Sequence, residues 1–163
     1  MLQVRSSSLA TTQAVAAAMA RLVRSGDVVV LAGEMGAGKT AFAQGFGVGM
    51  GVTDDITSPT FNLVHSHPAG KLTLHHADLY RLSTQHEVAD LGFAELAEAD
   101  GVLLVEWGDV VAASLGDHLL VQLDVDPDDE SSRSLSVSAV GRAWATRWSR
   151  LETELAPFIE GSC

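Results

Sequence analysis

Only one cysteine, Cys163, occurs in the 163 residues, and it is terminal. No disulfide can form within the chain, and a reducing, cytoplasmic compartment is expected. Lysine is nearly as scarce, with Lys39 and Lys71 the only two. At a formal net charge of −11, the surface cannot hold a nucleic-acid backbone tightly by itself. Any connection with RNA must run through a partner. No apolar run is long enough to cross a membrane. No repeat or long linker divides the chain, and its length suits one domain, so residues 1–163 read as a single unit. Hydrophobic residues make up 47%, enough for a real core.

Residues 1–26 hold no acid, several hydroxyl residues and three arginines, a composition that loosely resembles a targeting peptide. A helix accounts for it better. Val15, Met19, Leu22 and Val23 fall on one helical face, and Arg21 and Arg24 sit near the end, where the dipole favours cations. Thr11 or Thr12 is expected to cap its start and Gly26 to end it.

Residues Gly33-Glu34-Met35-Gly36-Ala37-Gly38-Lys39-Thr40 fit G-x-x-x-x-G-K-[ST], the phosphate-binding P-loop. The flanks fit too. The apolar run Val28–Ala32 reads as a buried strand entering the loop, and a helix-compatible segment leaves it at Thr40. Glycines let successive backbone N–H groups turn inward on phosphate oxygens, and the helix N-terminus adds positive potential. In this motif Lys39 reaches the outer phosphates and the Thr40 hydroxyl binds Mg²⁺. A glycine-rich turn with a chance lysine would not account for both flanks.

A P-loop needs acidic partners that hold the metal and orient the attacking group. Two strand-end acids are available. Glu106 ends the apolar strand Val102–Val105, and Asp78 ends the more polar strand 72–77. On that strand Leu72, Leu74, His76 and Asp78 share a face by the period of 2. Capping of the following segment is the other role open to each acid. Thr57-Ser58-Pro59-Thr60 is either a segment sensing the terminal phosphate or an ordinary polar turn. His65, His67, His75 and His76 match no common zinc spacing, and His76, two residues before Asp78 on the same face, reads better as a supporting partner than as a ligand. Guanine-specific P-loop proteins carry Asn-Lys-x-Asp or Thr-Lys-x-Asp. Neither lysine here is followed by x-Asp, so ATP is favoured over GTP by elimination.

The remaining elements follow in order. A helix is expected from Lys39 to about Val48, weakened at its far end by Gly45, Gly47, Gly49 and Gly51. Residues 61–67 and 71–77 read as strands around the turn Pro68-Ala69-Gly70. Thr84-x-x-Glu87 reads as a capping box, and a short helix is expected over 94–99. Residues 119–125 and 135–140 read as strands separated by an acidic loop over 126–130. Trp144, Trp148, Leu151 and Leu155 form a helical stripe, read as a packed face.

Taken together, the P-loop, Ser58-Pro59-Thr60, His76-x-Asp78-x-Tyr80-Arg81-Leu82 and Glu106-Trp107 resemble the TsaE family. These are bacterial P-loop ATPases needed to make the threonylcarbamoyladenosine modification of tRNA. The likeness runs from about Thr12 to Gly108, with the motifs in the family's order and spacing. It implies a single-domain α/β P-loop NTPase with a largely parallel central sheet flanked by helices. It also implies ATP hydrolysis in complex with the TsaB–TsaD pair. Thr40 and Glu106 would coordinate Mg²⁺, Asp78 would act in hydrolysis with Lys39 and Thr60, and residues Glu34, Met35, Gly36, Ala37, Gly38, Lys39 and Thr40 would cradle the phosphates. Leu9 through Thr12 would lie near the adenine. Glu34 stands where the family usually has aspartate. A small-molecule kinase and a nucleotide switch without substantial turnover are the alternatives. The scarcity of arginine near the motifs, where Arg81 is the one found, speaks against the kinase.

Overall fold

Five consecutive apolar residues, all buried, make β2 (Val28–Ala32). Such a run needs cover on both faces, which parallel strands at the centre of a sheet receive. In a computed structural model that describes residues 1–34, 36–56, 64–78, 100–106 and 116–159, β2 is the middle strand of seven. The others are β1 (Leu2–Ser6), β3 (Val64–Ala69), β4 (Leu72–Asp78), β5 (Gly101–Glu106), β6 (His118–Asp126) and β7 (Asp129–Val140). Their order is β1-β7-β6-β2-β5-β4-β3. The central strands β6, β2, β5 and β4 run parallel, and antiparallel pairs close both edges. The expected α/β architecture with a sheet parallel at its centre is therefore present.

Among the described residues the helices are α1 (Leu9–Ala20), α2 (Lys39–Met50) and α3 (Trp148–Leu155). Buried side chains of α1 and α2 form one core cluster with Val29, Leu31, Leu74, Val102 and Leu104, alternate residues of β2, β4 and β5. The intervening residues Val28, Val30, Leu103 and Val105 are buried as well. Trp144, Leu151 and Leu155 are buried and Trp148 packs against the core, as the stripe predicts, although Trp144 belongs to the turn before α3.

Several boundaries differ from the sequence expectation. Ser8, not Thr11 or Thr12, caps α1, its extended backbone letting Oγ accept from Thr11 N at 3.1 Å. The helix stops at Ala20, and Gly26 instead turns the chain into β2 at φ +92°. Strand β1 carries no helix or turn signal and forms by pairing with β7. Pro68 lies within β3 opposite Thr73, which an edge strand tolerates because its missing N–H need not face a neighbour. The acidic loop shrinks to Pro127-Asp128, since Asp129 and Glu130 already belong to β7. The expected capping box and the helix over 94–99 lie outside the described residues.

Helix α2 runs to Met50 despite its glycines, because tertiary packing overrides propensity. A Cβ on Gly45 would lie 2.3 Å from Gln13 O, and one on Gly49 would lie 2.5 Å from Ala17 O. The glycines thus form the strip along which α1 and α2 touch backbone to backbone. Contacts advance in the same direction on both helices, from 45 and 13 to 49 and 17, so both N-termini face the same end of the molecule.

Candidate functional site

That end is also the carboxyl edge of the parallel strands, where ligands of α/β sheets bind. Leu31 of β2 pairs with Glu106 of β5, and Glu106 pairs with Asp78 of β4. The loop leaving β2 therefore begins beside the two strand-end acids. Gly33, Gly36 and Gly38 have φ of +142°, +84° and +104°, values that glycine adopts without strain. A Cβ on Gly33 would come within 2.4 Å of Leu123 O, so the loop starts in contact with the backbone of β6. Ala37 N donates to Glu34 O at 3.0 Å, and Gly38 then serves as the N-cap of α2. Among the described residues no side chain makes a cap hydrogen bond there, which leaves the helix N-terminus available to an anion.

Lys39 opens α2 and is buried, its Nζ donating to Gly33 O at 2.6 Å and Glu34 O at 2.8 Å. Its ammonium is thereby folded back over the loop. Thr40 follows in the first turn of α2. Glu106 is buried, and His76 Nε2 donates to its Oε2 at 2.5 Å. His76 is fully buried on the face that Asp78 shares. Its other nitrogen, Nδ1, has no hydrogen-bond partner among the described residues. Burial holds His75 below the usual histidine range. His67 is lowered in the same way, first by burial and then by the charge of His76.

The donors gathered here are carboxylate and hydroxyl oxygens, from Glu106, Asp78 and Thr40. Hard oxygen donors suit Mg²⁺, which keeps several waters and shares its shell with substrate phosphates rather than entering an all-protein cage. A cage of three or more His, Cys, Asp or Glu side chains is not found among the described residues. The site's residues therefore fit a magnesium ion brought in with a nucleotide.

Beside the loop lies a cavity of about 420 Å³. Ser8, Leu9 and Thr12 of the α1 N-terminus form one wall, and Gly38 and Ala41 of α2 form another. Leu9 is 65% exposed, whereas Thr12 is buried and its hydroxyl is shared with Ser6 Oγ at 2.6 Å. The third wall, Ser131 and Arg133 of β7, had no counterpart in the sequence reading. Arg133 lies 96 positions from Ala37 in sequence, yet its Nε donates to Ala37 O at 3.0 Å. Only the alternation of β7 could have hinted at its direction, and nothing local names its target. Gly36, Ala37, Gly38, Lys39, Thr40, Glu34, Asp78, Glu106, Leu9 and Thr12 thus come to one end of the sheet. Met35 and Thr60 lie outside the described residues, as do Tyr80, Arg81 and Trp107.

Comparison with known proteins bears on this geometry. Residues 6–135 match the family described as threonylcarbamoyl adenosine biosynthesis protein TsaE. The chain belongs to the TsaE family. A tRNA threonylcarbamoyladenosine biosynthesis protein TsaE from Bacillus subtilis is 37% identical over 133 residues, covering 82% of this chain and 82% of that protein. The TsaE protein of Streptomyces coelicolor is 40% identical over 134 residues, 78% of this chain and 90% of the relative. The crystal structure of Bacillus subtilis YdiB superposes with a TM-score of 0.79 at 31% identity, over 93% of this chain and 94% of that one. The TsaE match reaches Ser131 and Arg133, beyond the motifs that carry the resemblance in sequence.

Proposed function

We propose that the chain binds ATP with Mg²⁺ at the loop after β2 and hydrolyses it to ADP and phosphate. The work serves threonylcarbamoyladenosine synthesis on tRNA and acts on the TsaB–TsaD pair. The observation that carries this is the placement of the glycine loop and the uncapped head of α2 beside Asp78 and Glu106 in one strand register. Lys39 would exchange the carbonyls of Gly33 and Glu34 for phosphate oxygens and stabilise charge on the transferred group. Thr40 and Glu106 would hold Mg²⁺, with His76 fixing the Glu106 carboxylate. When bound, the ion would supply positive charge to offset that of the phosphates. Asp78 would orient the attacking water, and Thr60 would contact the phosphate being transferred.

The adenine would enter the cavity beside Leu9 and Thr12, and the sequence carries no guanine-reading motif. ATP should outcompete GTP by a modest factor. A formal charge of −11 makes direct tight tRNA binding unfavourable, so the RNA is reached through the partners. A cytoplasmic location goes with a role in tRNA modification. No helix among the described residues is long and apolar enough to cross a membrane.

Calorimetry of ATP with Mg²⁺ tests the binding half. Lys39→Ala should lower affinity by roughly 10–100-fold, the equivalent of the ~1.5–3 kcal/mol typical of a charge-assisted contact. Unchanged affinity in a folded Lys39→Ala protein would sink the P-loop assignment. Phosphate appearing on a small molecule instead of in solution would favour a kinase.

A further inference from the structure

We propose that Arg133 is a positioning residue that shapes the phosphate loop from its outer side. Its guanidinium reaches from β7 to the loop, where Nε donates to Ala37 O at 3.0 Å and Nη2 to Gly36 O at 3.4 Å. The same group is anchored to its own strand, with Nη1 donating to Ser132 O at 3.0 Å and to Glu130 O. These bonds use four of the five N–H donors of a rigid planar fork. A peptide's C=O and the N–H of the next residue lie in one plane and point oppositely. Drawing the carbonyls of Gly36 and Ala37 outward to Arg133 therefore turns the N–H groups of Ala37 and Gly38 away from β7. The Gly33 contact with Leu123 O seats the start of the loop on β6. The β6–β7 hairpin thus supports the loop at both ends, and Arg133 supplies the part that a change of side chain can remove.

The cation does not need to touch phosphate to act in this way. Binding an anion at a preshaped loop avoids the cost of ordering it, so loss of the clamp should appear first as loss of affinity. Lysine cannot replace the fork, because a compact ammonium lacks the planar spread that meets Ala37 O, Gly36 O and the β7 carbonyls together.

The effect on nucleotide binding rests on the ATPase reading, whereas the effect on the loop does not. Hydrogen exchange on nucleotide-free protein, wild type against Arg133→Ala and Arg133→Lys, reads the loop directly. Exchange at Ala37 and Phe42, whose amides donate to Glu34 O and Gly38 O, should speed up at least tenfold in Arg133→Ala while β2 and β5 keep their protection. Calorimetry should show ATP affinity at least tenfold weaker in Arg133→Ala, with Arg133→Lys recovering only part. Unchanged exchange at Ala37 and Phe42 in a folded Arg133→Ala protein would overturn the proposal. So would a uniform rise in exchange across the sheet, which marks general destabilisation. If wild-type protein bound no ATP, the functional reading would fail while the exchange data still judged the clamp.

Discussion

Gly33→Ala adds a methyl group where the structure has no room for one. At φ +142° an L-residue is strained by about 1–3 kcal/mol. The new Cβ would lie 2.4 Å from Leu123 O and 3.3 Å from Ala37 Cβ. Leu123 O belongs to the backbone of β6, between β2 and β7, and cannot swing aside as a side chain would. If the loop holds its place, overpacking adds roughly 1–3 kcal/mol to the strain. If it lifts off β6, the strain is relieved but the amides at the head of α2 leave their positions, and ATP affinity falls instead. Gly36→Ala separates the two causes. Gly36 has φ +84°, and an added Cβ there meets nothing within 4 Å. It should cost only about 1–2 kcal/mol of backbone strain. Thermal unfolding and ATP calorimetry on both variants make the test. Gly33→Ala should either lose roughly 2–6 kcal/mol of stability or weaken ATP at least tenfold, well beyond Gly36→Ala. Equal effects from the two substitutions would refute the argument that contact with β6 seats the loop.

Other outcomes follow from the same structure. Asp78→Asn should reduce hydrolysis more than binding, whereas Glu106→Gln should weaken the Mg²⁺ dependence of ATP binding as well; calorimetry with and without Mg²⁺ distinguishes them. Arg147 Nη1 and Nη2 donate to the two carboxylate oxygens of buried Asp27 at 2.6 and 2.9 Å, so Arg147→Ala strands a buried charge. A loss of about 3–5 kcal/mol is expected, read as a fall in melting temperature of roughly 6–20 °C. His75 and His67 titrate below the usual range, chiefly through burial, so the unfolded chain takes up protons first as pH falls. Their contribution should leave stability flat above about pH 6.5 and lower it below, with His75→Gln flattening the slope. An unaltered slope in that variant would count against burial of neutral His75.

Elements that announce themselves locally were legible in the sequence. The loop glycines, the apolar runs of β2 and β5 and the strand-end acids each carry a signal within about ten residues. The glycines of α2 were legible as helix-weakening but not as a contact strip, because their reason lies in Gln13 and Ala17 of another helix. Strand β1 was missed for a similar cause. Its five residues become a strand only by pairing with β7, with Ile159 bridged to Val4. Arg133 and the Asp27–Arg147 pair join residues about a hundred positions apart, and no periodicity within either segment encodes such a meeting.

Phosphate release is the most direct measure of the central claim, followed for the purified chain alone and with TsaB and TsaD homologues from the same host. Lys39→Ala runs in parallel. The wild-type chain should release phosphate slowly by itself and severalfold faster with the pair, while Lys39→Ala stays at background in both. Release that is fast alone and indifferent to the pair, or absent under every condition, would contradict the account.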